Sequence, residues 1–156
     1  MSDDTLYKEL LRQEEDTVFP YFTIETALDL GMFLVAKAQE QSLPVTISVK
    51  KAGQRIFHAA LPGTSIDNDD WVEKKGRVVE RYGHSSFAVG EGFRVQDTTF
   101  EASSRLDPTL YAGHGGVFPV IVEGVGVVGT AGVSGLPQEV DHAFVVASLT
   151  EFISAL

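Results

Sequence analysis

Apolar and polar positions alternate along this chain with two different periods. Residues 5–17 set Leu6, Leu10 and Leu11 on one side of a polar segment, which predicts an amphipathic helix. Phe19-Pro20-Tyr21-Phe22 interrupts it, and Thr23 is the expected N-cap of a helix over 24–41. There Ile24, Ala27, Leu28, Gly31, Leu34, Val35 and Ala38 recur at a helical spacing. Gly31 at mid-helix costs about 1 kcal/mol relative to alanine, so it predicts close packing at that point. After Pro44 the period drops to two. Val45, Ile47 and Val49 alternate with Thr46, Ser48 and Lys50, the pattern of a half-buried strand, and Ala52-Gly53 turns the chain into a second strand over 55–61.

A helix is expected over 68–82, with Asn68 as cap candidate and Trp71, Val78 and Tyr82 on one face. A helical or irregular stretch follows from His84, and 95–110 is polar and irregular. Two strands, at 116–122 and 126–133, precede a final helix over 137–155, with Pro137 at its first position and Glu139 in its first turn. Two hairpins among helices predict an α+β fold with helices packed on an antiparallel sheet. Gly126, Gly129, Ala131 and Gly132 make the last strand unusually small, which permits close approach of a neighbouring backbone.

Composition narrows the chemistry more than it names it. At 156 residues the chain is expected to form one domain over 1–156, and 44% hydrophobic with 22% charged residues is ordinary for a globular protein. No apolar run nears a membrane helix and the first residues are acidic and polar, so a cytoplasmic address is expected. A net charge of -10 argues against nucleic-acid binding and against docking on anionic lipid. The absence of cysteine excludes disulfides, thiolate catalysis and Cys-ligated metals. The histidines are His58, His84, His114 and His142, and no two stand at helical ligand spacing, so no metal site is predicted.

Lys74, Arg77 and Arg81 share one helix face, with Lys75 one position round and Ser85 and Ser86 beyond; four of the twelve basic residues fall within eight positions. Such a stripe fits a carboxylate, a phosphate or haem propionates, because the arginine fork binds oxyanions in pairs of hydrogen bonds. A solvated face, or ion pairs to nearby acidic residues or to another subunit, fits it as well. The loop Ala112-Gly113-His114-Gly115-Gly116 allows a backbone to approach a ligand closely but lacks any nucleotide-binding spacing. His142 sits one turn into the last helix beside Asp141, and His58 lies mid-strand. No serine stands in a nucleophile-elbow setting, and no catalytic residue is assigned.

Three stretches, DNDDWVEKKGRVVERYGHSS (67–86), AGHGGVFPV (112–120) and VGTAGVSGLPQEVDHAFVV (128–146), resemble the conserved-hypothetical branch of the haem-degrading-domain, or GlcG-like, family. The resemblance spans the chain. It implies a profilin-like fold with a five-stranded antiparallel sheet, whose fifth strand would come from Phe19–Phe22 or from 93–101, and a homo-oligomer built from dimers. It makes haem a candidate cofactor, while carrying over no catalytic residues. The motif positions are Trp71, Arg77, Arg81, Ser85, Ser86, His114, Gly115, Gly116, Pro137 and His142. Lys74-Lys75 stands where an Arg-Lys pair is expected, which keeps the charge and loses the fork.

The reading is therefore a ligand-binding oligomer taking a small anionic ligand or cofactor. Its candidate residues are Lys74, Arg77, Arg81, Ser85, Ser86, His114, Gly115, Gly116 and His142, in a site between the Arg77/Arg81 face and the His114 loop. Two alternatives remain open. One is a haem- or iron-handling protein with His114 or His142 as axial ligand. The other is a non-catalytic assembly or adaptor protein.

Overall fold

The computed structural model describes residues 3–156. The elements follow in the order α1 Thr5–Asp16, α2 Ile24–Glu40, β1 Thr46–Lys51, β2 Gln54–Ala60, α3 Ile66–Tyr82, α4 Ser86–Arg94, α5 Phe100–Ser104, β3 Val117–Val122, β4 Gly126–Ser134 and α6 Gln138–Ser154. The strands form one antiparallel sheet in the order β2-β1-β4-β3.

Helices cover both faces of this sheet. On one face α2 and α6 bury Leu30, Leu34, Val145 and Leu149 against Ile47, Val49, Phe118, Val120, Ala131 and Val133. On the other, α3 sets Val72 and Val79 against Val117. The alternation in β1 predicted a half-buried strand, but Thr46 and Ser48 are buried along with Ile47 and Val49. A central strand roofed on both sides has no solvent face, and small hydroxyl side chains are what fit under α3. Gly31 lies where α2 meets β2: any side chain there would run into the Phe57 ring, so the glycine brings helix and strand together. Gly132 does the same inside the sheet, where a Cβ would meet the backbone of Gly116 and Val117.

The sheet has four strands, not five. Phe19 makes one parallel bridge to Val122, its N–H donating to the Ile121 carbonyl at 2.7 Å and its carbonyl accepting from Glu123 N–H at 3.0 Å. Pro20 has no N–H with which to extend the ladder. Residues 93–101 hold the end of α4, a turn and the start of α5. Two caps also differ from expectation. Ser65, not Asn68, caps α3, with Asn68 returning its side-chain oxygen to Ser65 N–H at 2.9 Å. Pro137 stands just before α6 rather than inside it. Thr23 caps α2 through a reciprocal pair with Thr26.

Candidate functional site

The α3 face that looks at the sheet reads Val72, Lys75, Gly76, Val79, all buried. A lysine in that stripe must satisfy its ammonium inside the protein. Lys75 is 4% exposed, and its Nζ donates to the carbonyls of Gly115 at 3.0 Å and Val133 at 3.1 Å and to Asp141 Oδ2 at 3.3 Å. Three donors meet three acceptors, one each from the glycine loop, β4 and α6. Asp141 Oδ1 also accepts the Leu136 N–H at 3.2 Å. Burial holds the Lys75 ammonium below its ordinary range, with Asp141 pulling the other way. Burial likewise pushes the Asp141 carboxyl up to about 6 against the pull of Lys75. Both shifts run toward the neutral forms, as expected where desolvation outweighs attraction within a buried pair.

Lys75 forms the floor of a cavity of about 400 Å³ whose walls include Asn68, Trp71, His114, Gln138 and Asp141. The His114 ring meets the Trp71 indole edge to face at 5.8 Å, and Lys74 Nζ lies 4.9 Å from the Trp71 ring. His114 is exposed. Gln138 Oε1 accepts the Gly115 N–H at 2.9 Å, as Asn68 Oδ1 accepts that of Ser65. Because each partner is a backbone N–H, the oxygen end of each amide is fixed and the NH₂ end is left over. Among the described residues, neither NH₂ group has a hydrogen-bond partner, nor have the Trp71 indole N–H and the Ser134 hydroxyl, which also line the cavity. Asp67 lines it too, the one cavity carboxylate outside the Lys75 pair.

The glycine loop is shaped by what it must pass. Gly116, at φ 142°, lies where a Cβ would strike Lys75 Nζ and the Val133 carbonyl. A Cβ on Gly115 would lie 2.5 Å from the Gln138 carbonyl.

The candidate residues divide sharply by position. His114 and Gly115 line the cavity. Lys74 reaches it through Trp71. Arg77 and Arg81 do not line it: Arg77 Nη1 donates to the Leu110 carbonyl at 3.0 Å, and the Arg81 guanidinium lies 5.9 Å from the Tyr111 ring, so the two pin the start of the loop. Ser85 caps α4 through Ala88 N–H, and Ser86 is stitched to β3 by donating to and accepting from Val117. His142 is buried between Phe87 and Phe118 with Nε2 2.7 Å from Gln13 Oε1, and burial pushes its pKa down to about 4. It ties α1 to α6 and does not line the cavity. Among the described residues no three His, Asp or Glu side chains converge as a metal site would require.

Lys75, Asp141, Asn68 and Gln138 were not among the residues singled out for binding. A signal for Lys75 was present: it interrupts the apolar stripe Val72–Val79 of its helix. Nothing comparable marks Gln138, whose contact to Gly115 joins distant parts of the chain, and Asn68 stood out only as a cap candidate, its contact to Ser65 being local.

A UPF0303 protein of Streptomyces coelicolor is 57% identical over 145 residues, spanning 93% of this chain and 92% of the relative. Among solved structures, the Ybr137w protein aligns with a TM-score of 0.88 at 32% identity, covering 96% of this chain and 88% of that one. A structure titled as the PduOC:heme complex aligns with a TM-score of 0.71 at 18% identity, covering 85% and 94%, a likeness of fold. The model of the family described as haem degrading protein HbpS-like matches residues 22–150, and the chain belongs to that family.

Proposed function

We propose that this chain is a binding protein whose cavity takes a small anionic ligand. The observation that carries the reading is the direction of the free hydrogen bonds. The cavity's amide oxygens and the Asp141 carboxylate are consumed within the protein, which leaves N–H and O–H donors unpaired among the lining residues. Free donors outnumber the one free lining carboxylate, Asp67, and such a surplus suits a carboxylate or a phosphate. The volume suits a small metabolite. No reaction is assigned. A homo-oligomer in the cytoplasm is part of the same proposal, and the association is supported by Ile24, Leu28 and Met32, apolar side chains exposed along one side of α2.

Gln138→Glu and Asn68→Asp keep the oxygen that each backbone N–H needs and turn the free donor into a carboxylate oxygen. In calorimetry with phosphate, acetate and propionate, each is expected to weaken binding at least tenfold, since a hydrogen bond to a charged group is worth roughly 1.5–3 kcal/mol. Asp67→Asn, which removes the unpaired carboxylate, is expected to tighten it. Affinities unchanged by all three substitutions, or no binding at all, would refute the site.

Haem is the second reading. It is favoured by an exposed imidazole, His114, beside an aromatic wall, and by the PduOC:heme complex of similar fold. A haem titration is expected to shift the Soret band, and His114→Ala to abolish the shift. A band that never moves, or moves equally in the variant, argues against this role.

A further inference from the structure

His114 and Gln138 line a second cavity as well as the first. This second chamber, of about 210 Å³, lies between α4, α5 and the glycine loop, with Phe87, Phe100 and Gly113 among its walls. Gly113 faces one chamber and Gly115 the other, so the wall between them is the loop itself. That wall is bare backbone by necessity. A Cβ on Gly90 would strike the Gly113 carbonyl, one on Gly113 would sit 3.0 Å from the Phe100 ring, and one on Gly115 would press on Gln138. The loop itself carries one side chain there, that of exposed His114, and Gln138 borders both chambers with it.

The chambers differ in chemistry. The first presents donors. In the second, the charge of Glu91 is met by Arg94 Nε at 2.7 Å, and Phe87 and Phe100 supply the apolar walls, with Thr98, Thr99 and exposed Glu101 also lining it. A dry cavity of roughly 150 Å³ accommodates benzene, so the second chamber has room for one ring.

We infer that the two chambers form one bipartite site for an arylalkyl carboxylate, the anionic head in the donor-lined chamber and the ring beyond His114. The inference rests on the anion reading above and specifies its ligand class. His114 stands between head and tail and sets the span of ligand that fits.

Calorimetry on the full chain with 3-phenylpropionate and propionate tests it. Phenylpropionate is expected to bind at least tenfold more tightly. Thr98→Trp, which fills the second chamber from a side chain with no hydrogen-bond partner among the described residues, is expected to bring the two affinities level while leaving propionate unchanged. Glu101→Trp, at another position lining the chamber, is the second variant and is expected to act in the same way. Equal affinities in the unsubstituted protein would overturn the second chamber and leave the anion site standing. A preference for phenylpropionate that survives both variants would overturn it too. Failure of both carboxylates to bind would overturn this inference together with the reading beneath it.

Discussion

Lys75→Met is expected to lower stability by about 3–5 kcal/mol at neutral pH, the usual cost of breaking a buried ion pair from one side. In a domain of this size that corresponds to a fall in Tm of roughly 6–20 °C. Methionine fills the volume of the lysine stem, so the loss is not one of packing. It leaves Asp141 buried without its cation and the carbonyls of Gly115 and Val133 without a donor. Two controls separate charge from shape. Lys75→Met with Asp141→Asn is expected to recover more than half the loss, because the amide can still accept from Leu136 N–H and carries no charge. The deficit of the single variant is also expected to shrink at pH 5, where Asp141 can take a proton. Thermal melts by circular dichroism decide it: a fall of less than about 3 °C would mean that the ammonium is not the tie between loop, strand and helix.

The second large effect is a pH dependence hidden by compensation. His142 is held to about 4 in the folded chain against an ordinary value of 6.5. Below 6.5 the unfolded chain takes up a proton that the folded chain refuses, so this contribution is full above 6.5 and is lost as pH falls toward 4. Asp141 runs the opposite way. Its carboxyl is raised from 3.8 to about 6, so its contribution is full below 3.8 and is lost as pH rises through 6. Between pH 4 and 6 the two slopes oppose, and the protein is expected to show a shallow profile there. His142→Gln retains a donor for Gln13 and removes one slope. Relative to the unsubstituted protein, the variant is expected to lose about 3 kcal/mol between pH 4 and pH 7, from a shift of 6.5 to about 4. Urea denaturation at half-unit pH steps tests this. Profiles that stay parallel would show that His142 is not held neutral by burial.

Local pattern carried most of the fold. The helical period of α2, the alternation in β1 and the Thr23 cap are each written in consecutive residues, and both hairpins lie where the turn residues put them. What escaped was non-local. The burial of both faces of β1 depends on α3 returning across the sheet, and the missing fifth strand depends on where Phe19 lands. The site follows the same division. His114 and Gly115 announce themselves within a glycine-rich loop. The basic stripe misleads, because Arg77 and Arg81 differ from Lys75 by a rotation about the helix axis that decides which cation meets the cavity and which meets the loop backbone. Serines 85 and 86 look like chemistry in the sequence and serve as helix cap and strand tie.

The single bridge at Phe19 governs how the sheet can meet its surroundings. By occupying the Ile121 carbonyl and the Glu123 N–H, it blocks one rim of the sheet against strand addition. The β2 rim is defended differently. The pairing of β2 with β1 slips at Ile56, and Gln54, Arg55 and His58 crowd the strand with exposed polar groups. A chain with four strands and two open rims would template its own stacking. Here one rim is closed by backbone at Phe19 and the other roughened by a bulge and charge, so neither offers a regular strand for another chain to pair with.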